Sequence, residues 1–415
     1  MARLCKPRAR AGAGSRRVLR SDPPAPRAAA ARRGDTVRPR GVRLLAWVAP
    51  LALSGAIAVA LLPWRRDAGA PPPRELLAGG NEPPAPRVAP ELESLDRNAL
   101  QAAAAYAGEH GSRALIVSRH DHIVFERYWQ GSSFETLTDA QTFTPLLAAL
   151  AAGVAISHRR IGWPDEPIGA FIAEWRQDPR GAITVRNLLQ SSSGLAPSAR
   201  ARDGGTDLIA AALSEPLAGT PGITRLEQPA DAQLLALLLE RATHQRYALY
   251  LSQALWRRIG AADAWLRLDH PGGAAHADCC LLARQGDWIR IGQLLLRDGN
   301  YRGDEVIRPG WVTLMRTPSR ADPRYGAYLR LGSPAAPGHE PYAARDLFAV
   351  QGEQGNRLWL VPSLQIAILR TAPAGRDASW DDSRVPNLII RGARDYTPPA
   401  QPGADVSVLV PAHKP

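Results

Sequence analysis

The hydrophobic and polar positions of this chain fall into distinct regimes. Residues 1–43 are rich in Arg, Ala, Gly and Pro and show no apolar period, which predicts a disordered arm. From Leu44 to Trp64 the run LLAWVAPLALSGAIAVALLPW carries no charged residue. At about 1.5 Å per residue such a run crosses the ~30 Å hydrocarbon layer, so it predicts a transmembrane anchor. Residues 65–91, with PPPR and NEPPAPR, predict an extended, semi-stiff spacer. Residues 92–395 alternate between helical and strand periods and form the expected folded domain, and 396–415 read as a flexible tail.

Inside the domain, Leu92–Ala107 has apolar positions at helical spacing. Ala114–Ser118 and Ile123–Tyr128 are strand-like runs joined by Arg119-His120-Asp121-His122, a hairpin pattern. Thr144-Pro145 predicts a helix start, because threonine suits an N-cap and proline the first turn. The LLAALAAGVAI that follows is apolar nearly all round and predicts a buried helix. Asp231–Ala242 and Leu249–Ile259 read as helices, Leu347–Gln351, Arg357–Val361 and Gln365–Arg370 as strands, and Asp382–Arg394 as a last helix. Strand hairpin, long helical region, three strands and final helix predict an α+β fold: an antiparallel sheet completed by distant segments, flanked by helices, with a helical region inserted.

Charge changes the picture only at the N-terminus. The chain carries 51 Lys+Arg against 39 Asp+Glu, but 15 of the basic and 2 of the acidic residues lie in the first 66 positions. The remainder is near neutral, which argues against a nucleic-acid surface in bulk. A basic arm before an apolar run places residues 1–43 in the cytoplasm and the domain in the periplasm, as a single-pass protein of the inner membrane. A cleaved signal peptide is the competing reading of the same segment. The three cysteines, Cys5 and the adjacent Cys279 and Cys280, make no disulfide framework, and the pair is expected as two small buried apolar side chains. His120-x-His122 sits in a hairpin turn without a third ligand, and no glycine-rich phosphate loop follows a strand, so neither metal nor cofactor is expected. The only lysines are Lys6 and Lys414.

Five segments, in order, resemble the serine β-lactamase and penicillin-binding superfamily, in particular its 6-aminohexanoate-dimer hydrolase and esterase branch. ALIVSRHDHIVFERYW resembles the opening hairpin, and AAGVAISHRRIGWPDEPIGAFIAEW the buried helix and its continuation. ITVRNLLQSSSGL is similar to the Thr-x-x-x-Leu-Leu-x-x-x-Ser-Gly stretch, RQGDWIRIGQLLLRDG to an Asp-x-x-Arg-x-Gly-x-Leu-Leu element, and FAVQGEQGNRLWLVPSLQIAILRT to the last strands. The resemblance implies acyl transfer by a serine whose proton is taken by a lysine one helical turn on, assisted by Tyr-x-Asn and Lys- or His-x-Gly motifs. Counting back from Gly153, the serine position falls on Thr142 and the lysine position on Pro145. Glu227-Gln228-Pro229 stands for Tyr-x-Asn, and Glu353-Gln354-Gly355 for the third motif, with Gly355 alone retained. Ser193 and Gly194 close a serine cluster that the resemblance puts at the cleft edge, as binding positions or simply as a turn.

No arginine can replace the lysine, because a guanidinium does not deprotonate in a protein. The expected function is therefore an anchored envelope protein whose cleft binds peptide-like, ester or cell-wall-derived ligands with its catalysis impaired. Two alternatives stand beside it. One is a hydrolase of esters or short amides in which Thr142 is worked by Glu227 or Glu353; in the plainer reading Thr142 and Thr144 only cap a helix. The other is an architectural envelope protein.

Overall fold

The computed structural model describes residues 71–197, 207–332, 339–352, 355–373 and 379–398. In chain order the strands are β1 (Arg74–Leu77), β2 (Ala114–Arg119), β3 (His122–Tyr128), β4 (Leu137–Asp139), β5 (Ala264–Arg267), β6 (Leu281–Arg284), β7 (Asn300–Tyr301), β8 (Asp304–Glu305), β9 (Arg330–Leu331), β10 (Phe348–Gln351), β11 (Arg357–Val361) and β12 (Ile366–Thr371). The helices are α1 (Arg97–Glu109), α2 (Thr144–Ser157), α3 (Val185–Leu189), α4 (Leu208–Ser214), α5 (Pro229–Thr243), α6 (Tyr247–Leu251), α7 (Gln285–Leu296), α8 (Trp311–Met315) and α9 (Arg384–Arg391).

A six-stranded antiparallel sheet runs β3-β2-β12-β11-β10-β9. Its centre is covered on both faces, which is why β2 and β12 are buried along their whole length and read as nearly continuous apolar runs. One face packs on α1 and α9, through Leu100, Ala103, Ile389 and Ile390 against Val117 and Ile368. The other packs on α7, where Gly292 lies so close that an added Cβ would stand 3.0 Å from the Ala367 methyl. The turn between β2 and β3 is made by His120 and Asp121, both left-handed at φ 46° and 67°. Both hairpin histidines, His120 and His122, place Nδ1 2.7 Å from the Glu93 carboxylate. This α+β arrangement, with helices α3–α6 inserted between the hairpin and the late strands, is the one the patterning predicts.

Boundaries shift where local chemistry decides them. The first helix begins at Arg97, not Leu92, because the Asp96 carboxylate caps it by accepting from the amides of Asn98 and Ala99. The helix expected over Leu249–Ile259 divides into α6 and a wider turn over Ser252–Trp256. Helix α2 starts at Thr144 as expected, but threonine does not cap it: a 3₁₀ turn, Gln141–Phe143, feeds straight into the helix. The chain is already helical at Phe143 (φ −74°, ψ −25°), so Thr144 lies inside the first turn, and its buried hydroxyl finds no partner among the described residues.

The largest difference lies before residue 92. Within the stretch expected as a spacer, β1 pairs antiparallel with β5, and Leu77 is fully buried. This adds an edge to a second sheet, β1-β5-β6-β4, that the patterning does not reveal. Downstream, the buried Arg290 guanidinium donates to the carbonyls of Glu82 (2.5 Å) and Pro83 (2.9 Å). Prolines here punctuate a segment that is part of the domain. Residues 44–64 lie outside the described residues, and no described helix is long and apolar enough to cross a membrane.

Helix α2 passes through the core against α5 and α6. Its one glycine is there for contact: a Cβ on Gly153 would fall 2.4 Å from the Trp311 ring, whose Nε1 donates to the Ala149 carbonyl at 3.2 Å. The indole is pinned and cannot yield cheaply. Gly153→Ala is therefore expected to destabilise the domain by about 1–3 kcal/mol, read as a lower urea midpoint at unchanged slope.

Candidate functional site

The entries to α2 and α5 converge on a cavity of about 490 Å³. Gln141, Thr142 and Pro145 come from the turn and first residues of α2, and Glu227, Gln228 and Pro229 from the entry to α5. Arg267 at the end of β5, residues of the 276–280 loop before β6, and Tyr328 ahead of β9 complete the wall.

Four sequence-predicted positions are thus brought together here: Thr142, Pro145, Glu227 and Pro229. The other three described positions, Gly355, Ser193 and Gly194, are not. Glu353 lies outside the described residues. Gly355, left-handed at φ 82°, is held by Arg370, whose Nη1 donates to its carbonyl at 2.6 Å and would stand 2.4 Å from an added Cβ; it does not line the cavity. Ser193 is buried and donates its hydroxyl to Asp231 at 2.6 Å, and it is not among the residues that line the cavity. Gly194, at φ 77°, is pressed against the Gly219 carbonyl and serves the turn.

The chemistry at these positions is spare. Pro145, the position expected for the lysine, offers no proton acceptor. Glu227 is 59 % exposed and paired with Arg225 at 3.1 Å. Pro229 has no side-chain polar atom to move a proton. The Thr142 hydroxyl remains on the wall.

Other groups, which the motif reading passes over, supply the cavity's polarity. Tyr328 is inserted with a left-handed φ of 53°, and its buried hydroxyl has no partner among the described residues. Burial pushes this phenol well above its ordinary pKa, so it stays a neutral donor. The Gln228 amide donates through Nε2 to Ser193 Oγ and Asp231 Oδ1, both at 3.2 Å, and leaves Oε1 buried without a described partner. Arg267 contributes a cation. His276 is buried, with Nδ1 3.1 Å from Asp278 Oδ1 and 3.7 Å from Cys279 Sγ. Cys279 and Cys280 correct their expectation: they are joined as a disulfide and stand half-buried on the cavity wall, not packed as apolar core. The run HADCC held a signal for this cluster, since a histidine three and four residues before adjacent cysteines puts three soft donors in one loop.

Behind the wall, Asp231 is wholly buried, and its carboxyl accepts from the Ser193 hydroxyl, the Gln228 amide and the Ser193 backbone. Burial outweighs these bonds and lifts its pKa from 3.8 to about 7. Because the folded chain holds this proton more tightly than the unfolded one, the contribution to stability is complete below about pH 4 and is lost as pH rises through about 7. Asp287, raised to about 6 by its burial, adds to the same slope. Thermal melts from pH 4.5 to 8 (roughly 1.4 kcal/mol per pKa unit) are expected to show falling stability with rising pH, and Asp231→Asn to flatten that fall.

Comparison with known proteins agrees with this architecture. The pattern described as Beta-lactamase matches residues 98–372. A curated 6-aminohexanoate-dimer hydrolase from Paenarthrobacter ureafaciens is 36% identical over 85 residues, which is 20% of this chain and 21% of that protein, so the aligned part spans about a fifth of the relative. Among solved structures, a putative 6-aminohexanoate-dimer hydrolase from Bacillus anthracis superposes with a TM-score of 0.64 at 16% identity, over 78% of this chain and 90% of that one. A putative beta-lactamase from Bacteroides dorei gives 0.61 at 18% identity, over 72% and 99%. At such identities the superpositions speak for the fold alone, but the matched span runs from α1 through the last strand of the main sheet, and on it the chain belongs to the beta-lactamase family.

Proposed function

We propose that this domain uses the family cleft to bind a peptide-like ligand bearing amide and carboxylate groups, without the serine–lysine acyl transfer of its relatives. The observation that carries the reading is the pairing of a lost base with unspent polarity. Pro145 occupies the lysine position and no lysine lies between Lys6 and Lys414. Tyr328 and Gln228 line the cavity, and the Tyr328 hydroxyl and Gln228 Oε1 are buried behind its surface with no partner among the described residues, so a ligand reaches them through a side-chain shift. An unsatisfied buried group costs about 1–3 kcal/mol, which a ligand recovers by pairing with it. A phenol suits a carbonyl oxygen, the amide oxygen suits an N–H, and the Arg267 guanidinium suits a carboxylate.

A second reading, hydrolysis of esters or short amides, is favoured by one observation. The His276–Asp278 pair shares the cavity wall with the Thr142 hydroxyl, and it is a better base candidate than Glu227. As to place, the charge-free run 44–64 behind a basic arm supports an inner-membrane anchor with the domain in the periplasm, where cell-wall-derived peptides would be within reach.

The two chemical readings separate by experiment on the full chain. Incubation with a fluorophosphonate or a penicillin is expected to leave the intact mass unchanged. An N-acyl dipeptide with a free carboxylate is expected to raise the melting temperature. Tyr328→Phe should weaken it by about 0.5–1.5 kcal/mol and Arg267→Ala by about 1.5–3 kcal/mol. A covalent adduct that disappears in Thr142→Ala or His276→Ala would replace the binding reading with the hydrolytic one.

A further inference from the structure

We propose that Cys279, Cys280 and His276 form a site for a thiophilic metal ion on the cleft wall, available when the disulfide is reduced and closed when it is oxidised. The proposal rests on this cluster alone and stands or falls apart from the ligand reading above.

One loop of five residues carries every donor. The ligand atoms of His276, Cys279 and Cys280 all lie within 4.8 Å of one another, and no other such group of three occurs among the described residues. His276 Nδ1 stands 3.7 Å from Cys279 Sγ. A tetrahedral ion with metal–sulfur bonds of about 2.3 Å and metal–nitrogen bonds of about 2.0 Å sets those two atoms about 3.5 Å apart. The nitrogen–sulfur edge is therefore nearly built before any ion arrives. Asp278 Oδ1, 3.1 Å from the same nitrogen, yields its place on the imidazole and is close enough to supply an oxygen ligand. The imidazole is buried and fixed, whereas the two cysteines are half-buried at the cavity, so an ion enters from the cleft. Two thiolates with one imidazole select soft or borderline d¹⁰ cations over calcium and magnesium.

The redox step balances with a dithiol reductant. It delivers two electrons and two protons to the Cys279–Cys280 bond and becomes a cyclic disulfide, leaving two thiols on the chain. A divalent ion then forms two metal–sulfur bonds and one metal–nitrogen bond, and the two thiol protons pass to solvent. With the disulfide intact no thiolate exists and the imidazole alone does not retain the ion. Oxidation state thus decides whether the wall of the ligand cleft carries a dication.

Cadmium is a suitable probe, because its thiolate bonds absorb in the ultraviolet. Full-length chain carrying Cys5→Ser would be reduced with dithiothreitol, desalted without air and titrated with Cd²⁺, beside the same chain left oxidised. The expected result is one Cd²⁺ per reduced chain with a charge-transfer band and a raised melting temperature, and neither effect in the oxidised chain. His276→Ala should weaken binding by at least about tenfold while the sulfur band persists. Equal responses of the reduced and oxidised chains would overturn the proposal without any appeal to a variant's folding. So would the absence of a band after reduction, or an affinity that His276→Ala leaves unchanged.

Discussion

Helix α2 must be buried on every side, and most of the domain is arranged to satisfy that requirement. Its residues Leu146 through Val154 are almost completely withdrawn from solvent, so the helix needs partners all round. The inserted helices α5 and α6 supply one side, and α8 closes another by seating Trp311 over Gly153. Because the backbone polar groups of a helix are satisfied internally except at its ends, the place where a buried helix meets water is its terminus. In this fold that terminus opens onto the cavity, with Gln141 and Thr142 on the approaching turn and Pro145 in the first turn. The packing that stabilises the domain is the same packing that aims these residues.

What stands at the opening has changed more than the frame. A proline in the first turn of a helix is structurally comfortable, since the missing N–H has no intrahelical partner there. A proline at this position is therefore compatible with the buried helix and offers no side-chain proton acceptor. Around it, the cavity has gained or kept a neutral phenol, a half-used amide, a guanidinium and an imidazole–carboxylate pair. The aspartate behind them, Asp231, is held in a setting where its proton is part of the packing, and this couples the back wall of the cavity to pH.

The sequence was most legible where burial leaves a strong periodic mark. The run LLAALAAGVAI identified α2, and the paired hydrophobic runs around His120-Asp121 identified the opening hairpin, because full burial admits few polar residues. It was least legible where backbone pairing does the work. Strand β1 is four residues between prolines, and only its register against β5 makes it a strand. Site residues divide along the same line. Thr142, Pro145 and Glu227 could be counted from a neighbouring motif along one helix entry. Tyr328 and Arg267 could not, because they reach the cavity from the loop before β9 and the end of β5, far along the chain, and carry no local signature. Ser193 was expected at the cleft edge, as a binding position or simply a turn, and its hydroxyl is spent on a buried carboxylate.

The pairing of β1 has a practical bearing on how this domain can be handled. Trimming the chain at the start of the helical pattern near residue 92 would strip the outer strand from the smaller sheet. The amides and carbonyls of Ala264–Arg267 would then form a raw sheet border, the sort of surface on which chains stack into aggregates. It would also remove the two carbonyls that accept from Arg290 Nη2, leaving the buried guanidinium with its Nη1 bonds to the Ile259 carbonyl and the Tyr301 hydroxyl. A fragment meant to stay soluble must begin ahead of Pro73, whose carbonyl already receives the Leu268 amide.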